Sequence, residues 1–195
     1  FRRVLFRSRG IGLVIARALL DEGASVVITG TKTATVEKAV SALGAGGRSA
    51  TVAGEVADVR AEADVSRMLN AAAARFGGVD ILVNNAGVGI FTPVVDMSPQ
   101  QWHDVIDTNV TGVFLCSRAA VPLMRTRGGG WIINISSLSG TNPFPNAAAY
   151  CASKAAVDAF SQAFMQEVRH DGIRVAQVAP GSVNTGLDRK STRLN

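Results

Sequence analysis

Short β-branched runs alternate with longer stretches of helical period along almost the whole chain, and this alternation restricts the fold more than any single motif does. Residues 25–29 (SVVIT), 79–83 (VDILV), 131–135 (WIINI) and 173–178 (IRVAQV) read as buried strands, with a weaker one at 49–53. Residues 11–20, 33–43, 62–76, 99–127 and 147–169 carry helical spacing. Gly23, Gly44 and the pair Gly77-Gly78 stop three of these helices, and Ser98-Pro99 supplies an N-cap and a first-turn proline for a fourth. Strands joined through helices predict a doubly wound parallel α/β sheet with right-handed crossovers. A chain of 195 residues suits one such domain, and there is no internal repeat or linker. Ligands of these sheets bind beyond the carboxyl ends of the strands, near the point where strand order reverses. The residues to weigh therefore follow the strands: 30–32, 58–59, 84–87, 136–137 and 180–181.

Charge and composition exclude several classes. The net charge is +5, but Arg2, Arg3, Arg7, Arg189, Lys190 and Arg193 lie at the two ends. Without them the acidic and basic residues nearly cancel, so there is no basic stripe for nucleic acid. No apolar run is long enough to span a membrane, and no signal-peptide core follows the basic start. Cys116 and Cys151 lack metal spacing, and His103 and His170 lack ligand partners. Two unpaired cysteines fit reduced thiols of a cytoplasmic protein. Segments 1–7 and 189–195 have clustered charge and no period. They read as foreign to the domain, which is expected to run from 8 to 188.

Within the stretch 147–169, Tyr150 and Lys154 stand four residues apart. On a helix they share a face. A cation about 4 Å from a phenolate, at an effective dielectric of ~20, is worth roughly 4 kcal/mol. That is enough to move a phenol from ~10 toward ~7, where it serves as a general acid or base.

The ordered set of motifs resembles the short-chain dehydrogenase/reductase family in its compact single-domain branch, over residues 8–187. The set comprises Ser8-Arg9-Gly10-Ile11-Gly12, Asp58-Val59, Asn84-Asn85-Ala86-Gly87, Asn109 within Thr108–Gly112, Ser136-Ser137, Tyr150 with Lys154, and Pro180-Gly181 with Thr185. The resemblance implies a Rossmann-like fold and hydride transfer between a nicotinamide and a carbonyl or secondary alcohol, of the 3-oxoacyl-reductase type. It implies Tyr150 as the general acid/base and Lys154 as the cation that lowers its pKa and holds the nicotinamide ribose. Ser137 would polarise the substrate oxygen, and Asn109 would kink its helix and hold a proton-relay water. Arg9, Gly10, Ile11 and Gly12 would surround the pyrophosphate. Asp58 and Val59 would meet the adenine, Asn85, Ala86 and Gly87 would flank the ribose, and Pro180, Gly181 and Thr185 would lie by the nicotinamide.

The second strand ends in Gly30-Thr31-Lys32 with no acid to repel a 2′-phosphate. Arg9 and Lys32 could reach that phosphate, so NADP is expected over NAD. The phosphate turn departs from the family: Phe6 stands where a glycine is usual and Leu5 where threonine is, as foreign sequence there would explain. The small, apolar segment 139–149 predicts an uncharged apolar carbonyl or alcohol substrate. The resemblance also implies a homodimer or homotetramer when full length, and a further lid, helix and strand after Thr185. The chain is thus expected to be a fragment, poorly soluble and of little activity. A non-catalytic dinucleotide-binding or oligomerisation module is the alternative, but it has no need of Asn109, Ser137, Tyr150 and Lys154 together.

Overall fold

Successive residues of a strand face opposite sides of a sheet, and this chain builds core on both sides. Val26, Ile28, Ile81 and Val83 pack with Ala16, Leu20 and Leu43, while Val27, Leu82 and Ile132 pack with Val65, Leu69 and Met124. The computed structural model describes residues 3–7, 10–45, 47 and 49–181. Among them, β1 (Arg3–Arg7), β2 (Ser25–Gly30), β3 (Val52–Val56), β4 (Ile81–Asn84), β5 (Gly130–Ile135) and β6 (Ile173–Val178) form one sheet, paired in parallel throughout. The order is β3-β2-β1-β4-β5-β6, so the direction of winding reverses between β1 and β4. Helices α1 (Ile11–Asp21) and α2 (Thr33–Gly44) supply the first cluster. Helices α3 (Glu62–Phe76), α5 (Gly112–Arg125) and α6 (Ala148–Val168) supply the second. The doubly wound sheet predicted from the alternation is the fold observed.

Three local expectations change. Residues 3–7, which the sequence pattern sets outside the domain, form the central strand. A parallel neighbour on each side satisfies the backbone there, whatever the side chains. Arg3 is accommodated at the strand's start, where its backbone N–H donates to Asp80 Oδ2 at 2.9 Å. The weak strand at 49–53 moves to Val52–Val56, and Ser49–Thr51 is a 3₁₀ turn. Pairing of Val26–Gly30 with Val52–Val56 overrides the poor strand propensity of Gly54 and Glu55. The long helix expected from Ser98-Pro99 to about Arg127 is α4 (Pro99–Ile106), a π-helical turn over Asp107–Thr111, and α5. Its start is a capping box: Ser98 accepts from the Gln101 backbone N–H and Gln101 Oε1 accepts from that of Ser98.

A buried polar chain ties β4 and β5 to the helices behind them. Asn84 Nδ2 donates to Ser117 Oγ at 3.1 Å and to Asn134 Oδ1 at 2.8 Å. Asn134 Nδ2 donates to Ser161 Oγ at 2.8 Å, whose hydroxyl donates to the Val157 carbonyl at 2.6 Å. Asn134 is fully buried, so truncating it strands an amide N–H of Asn84 in the core. Asn134→Ala is expected to cost about 2 kcal/mol in urea unfolding; a loss within ~0.5 kcal/mol would contradict this description of the network.

Candidate active site

Lys154 is a lysine at 6% exposure, under the carboxyl end of β5. Its Nζ donates to the Ile135 carbonyl at 2.8 Å and lies 5.7 Å from the centre of the Tyr150 ring. The two side chains share one face of α6, as their spacing predicts. Burial pushes the Lys154 ammonium from 10.5 down to about 8, and the charge of Asp158, one turn further on, opposes the fall.

The π-helical turn brings Asn109 to the same place. Its Oδ1 accepts from the Val88 backbone N–H at 2.8 Å, and its Nδ2 donates to the Val88 carbonyl at 2.9 Å and to Ser153 Oγ at 2.9 Å. Ser153 donates in turn to the Tyr150 carbonyl at 2.7 Å. One buried amide thus fastens the β4–α4 loop to the first turn of α6. Gly87 closes the space between them: a Cβ there would lie 3.5 Å from Asn109 Oδ1 and 3.7 Å from Lys154 Nζ. After β5, Ser136 is buried, with its hydroxyl toward the Lys154 carbonyl at 3.4 Å. Ser137 is half-buried, and its Oγ accepts from the Ser139 N–H at 3.2 Å. The Leu138 N–H donates to the Pro180 carbonyl at 3.1 Å, which seats the segment after β6, including Gly181, beside this turn.

A cleft of about 400 Å³ opens at the carboxyl ends of β2, β3 and β4. Asp58, Val59 and Ala86 line it, with Thr31, Val88 and Ile90. Lys32 is exposed at the N-cap of α2, next to Thr31. Gly10 starts α1 with φ 57°, a conformation that favours glycine, followed by Ile11 and the buried Gly12. Asn85 is half-buried on the β4–α4 loop. Arg9 and Thr185 lie outside the described residues. The cleft suits the base end of a dinucleotide, with apolar walls for a flat ring and an acid beside them.

Sequence reasoning missed how Asp58 is held. Arg60 grips its carboxylate through Nε at 3.0 Å and Nη2 at 2.6 Å, and Arg60 Nη1 reaches Asp104 of α4 at 3.3 Å. The Arg60 hydrogen bond draws the Asp58 carboxyl below its usual range. An arginine two residues after an aspartate was the signal available. Cys116, whose thiol burial pushes up to about 12, is a packing residue.

The comparisons with known proteins agree with this geometry. The model of the short chain dehydrogenase family matches residues 4–194. The chain belongs to that family. It is 37% identical over 180 residues to a 3alpha-hydroxysteroid dehydrogenase of Mediterraneibacter gnavus, covering 92% of this chain and 72% of the relative. It is 37% identical over 182 residues to a 3-oxoacyl-[acyl-carrier-protein] reductase of Synechocystis, covering 92% and 72%. A crystal structure of a short chain dehydrogenase from Mycobacterium smegmatis superposes with TM-score 0.89 at 33% identity, over 92% of this chain and 76% of that one. The chain is accordingly an NAD(P)-dependent oxidoreductase of this family. No helix among the described residues is long and apolar enough to cross a membrane.

Lys154 makes folding pH-dependent with a fixed sign. Its pKa in the folded chain is depressed, so between about 8 and 10.5 the unfolded chain binds the extra proton. Its contribution to stability therefore rises with pH across that window, by about 3 kcal/mol at most. Subtracting the melts of Lys154→Met from those of the wild type should isolate this rise. A flat difference would show that the amine is not buried as described.

Proposed function

We propose that the protein reduces a carbonyl, or oxidises the matching secondary alcohol, with NADP preferred over NAD. The observation that carries the reading is the shared face of Tyr150 and Lys154 beside Asn109, which also holds Val88 at the edge of the cleft. The nicotinamide, when bound, supplies or accepts the hydride. Tyr150 gives its phenolic proton to the carbonyl oxygen in reduction and takes it back in oxidation. The Lys154 ammonium stabilises the phenolate left behind, and the Ile135 carbonyl orients that ammonium. Ser137 Oγ donates to the substrate oxygen as negative charge develops there. Asn109 acts by position: it holds Val88, and through Ser153 the first turn of α6. A water on Asn109, relaying protons toward Lys154, is part of the same proposal.

In the cleft, Asp58, fixed by Arg60, and the Val59 N–H are proposed to meet the adenine. Asn85, Ala86 and Gly87 would line the ribose side, Gly10, Ile11 and Gly12 the pyrophosphate side, and Pro180, Gly181 and Thr185 the carboxamide. The preference for NADP rests on Gly30-Thr31-Lys32 having no acid, and on the cations Lys32 and Arg9. The 3-oxoacyl thioester is the reference substrate by family likeness. A homodimer or homotetramer is proposed through the outer face of α4 and α5, where Trp102 and Phe114 stay exposed.

Tyr150→Phe in the full-length protein decides between this and a module that only binds a dinucleotide. It is expected to lower NADPH-dependent carbonyl reduction by roughly a hundredfold or more, with NADPH affinity kept. Undiminished turnover in Tyr150→Phe would remove the phenol from the chemistry. A lower Michaelis constant for NADH than for NADPH would reverse the cofactor choice.

A further inference from the structure

Two aromatic rings converge beside the phenol, and the three rings come from three separate segments. Phe91 lies on the β4–α4 loop, Phe144 on the β5–α6 loop and Tyr150 on α6. The Phe91 and Phe144 centres are 5.8 Å apart, with planes inclined at 36°. The Phe91 and Tyr150 centres are also 5.8 Å apart, in an edge-to-face arrangement at 67°. The Thr92 N–H donates to the Asn146 carbonyl at 2.7 Å, tying the two loops together by backbone alone. Asn146 is the one non-glycine residue of positive φ (64°) among the described residues. Strained conformations of this kind gather where a loop must hold a fixed shape at a site. Gly89 makes room for the ring: a Cβ there would lie 2.9 Å from Phe91 Cζ and 3.6 Å from Tyr150 Cδ2.

The segments around the rings carry no charge of their own and are open, while the Lys154 ammonium lies 5.7 Å from the Tyr150 ring centre. Phe144 and Leu138 are 46% and 49% exposed, although both sit beside the catalytic segment. Neither 85–95 nor 138–153 contains a charged residue. Nothing in those segments would pair with a carboxylate or phosphate on the substrate, and the exposed rings offer flat apolar contact.

From this we propose that Phe91 and Phe144 are specificity-determining residues. They form a clamp, held by the Thr92–Asn146 backbone bond, for an uncharged ketone that carries a flat apolar ring next to its carbonyl. The proposal rests on Tyr150 as the proton donor and narrows the substrate beyond the linear 3-oxoacyl type. The ring of the substrate packs against Phe91 and Phe144, and its carbonyl oxygen is left facing the phenol.

Tyr150 is the sole tyrosine of the chain, so ring-labelled tyrosine gives one NMR probe at the site. Acetophenone, ethyl acetoacetate and pyruvate would each be titrated against the protein. Acetophenone is expected to shift the Tyr150 signals saturably and to bind about tenfold more tightly than ethyl acetoacetate, with pyruvate weakest. Phe91→Ala and Phe144→Ala should erase that preference. Gly89→Ala, which crowds the Phe91 ring without deleting it, should do the same, so one unfolded variant does not decide the test. Equal or tighter binding of ethyl acetoacetate by the wild type would overturn the clamp, and so would a preference that survives in the folded variants. Turnover with NADPH separates the two levels. Acetophenone bound at Tyr150 but never reduced by the full-length wild type would sink the oxidoreductase reading and leave the clamp. Reduction of the linear ester in preference to acetophenone would sink the clamp and leave the reading.

Discussion

The hydrogen bond from Lys154 Nζ to the Ile135 carbonyl is the contact on which the rest of the site depends. It fixes α6 against the end of β5, and so fixes where a side chain one turn earlier, Tyr150, can point. It also sets a tension. A buried ammonium is disfavoured, and burial brings Lys154 to about 8. In the proposed mechanism the phenol needs that charge nearby to part with its proton. Asp158, on the same face one turn on, works against the burial and keeps the ammonium in play near neutrality.

Around that contact the fold provides a frame that does little chemistry itself. The π-helical turn at Asp107–Thr111 aims the Asn109 amide at the Val88 backbone and Ser153, joining a loop, a helix and the site with three hydrogen bonds. Behind it, the chain from Ser117 through Asn84 and Asn134 to Ser161 holds the strand ends in register. Polar groups this deep stabilise a fold only when each finds a partner. Here their pairing fixes one arrangement of β4, β5 and α6. The winding reversal between β1 and β4 opens the cleft at the carboxyl ends of the strands, and Val88, which Asn109 holds, lines it.

The parts legible in the sequence were those fixed by local period and ordered motifs. Apolar runs such as residues 173–178 became strands with unchanged bounds, and the Ser98 cap and the Tyr150–Lys154 face followed from spacing alone. What escaped was decided by partners distant in the chain. Residues 3–7 form a strand because β2 and β4 flank them, and β3 slides because β2 sets its register. The π turn inserts within a continuous helical pattern, where only the buried Asn109 hinted at irregularity. Phe91 belongs to no motif. Its place beside Tyr150 comes from a backbone bond between two loops, which no periodicity encodes.

Because the chain has one tyrosine, the absorbance of phenolate during a pH titration reports Tyr150 alone. Comparing that titration in the wild type and in Lys154→Met tests the central claim most directly. The phenol is expected to give up its proton at clearly lower pH in the wild type than in the variant. Superimposable curves would contradict it, since the amine would then exert no hold on the group said to carry the proton.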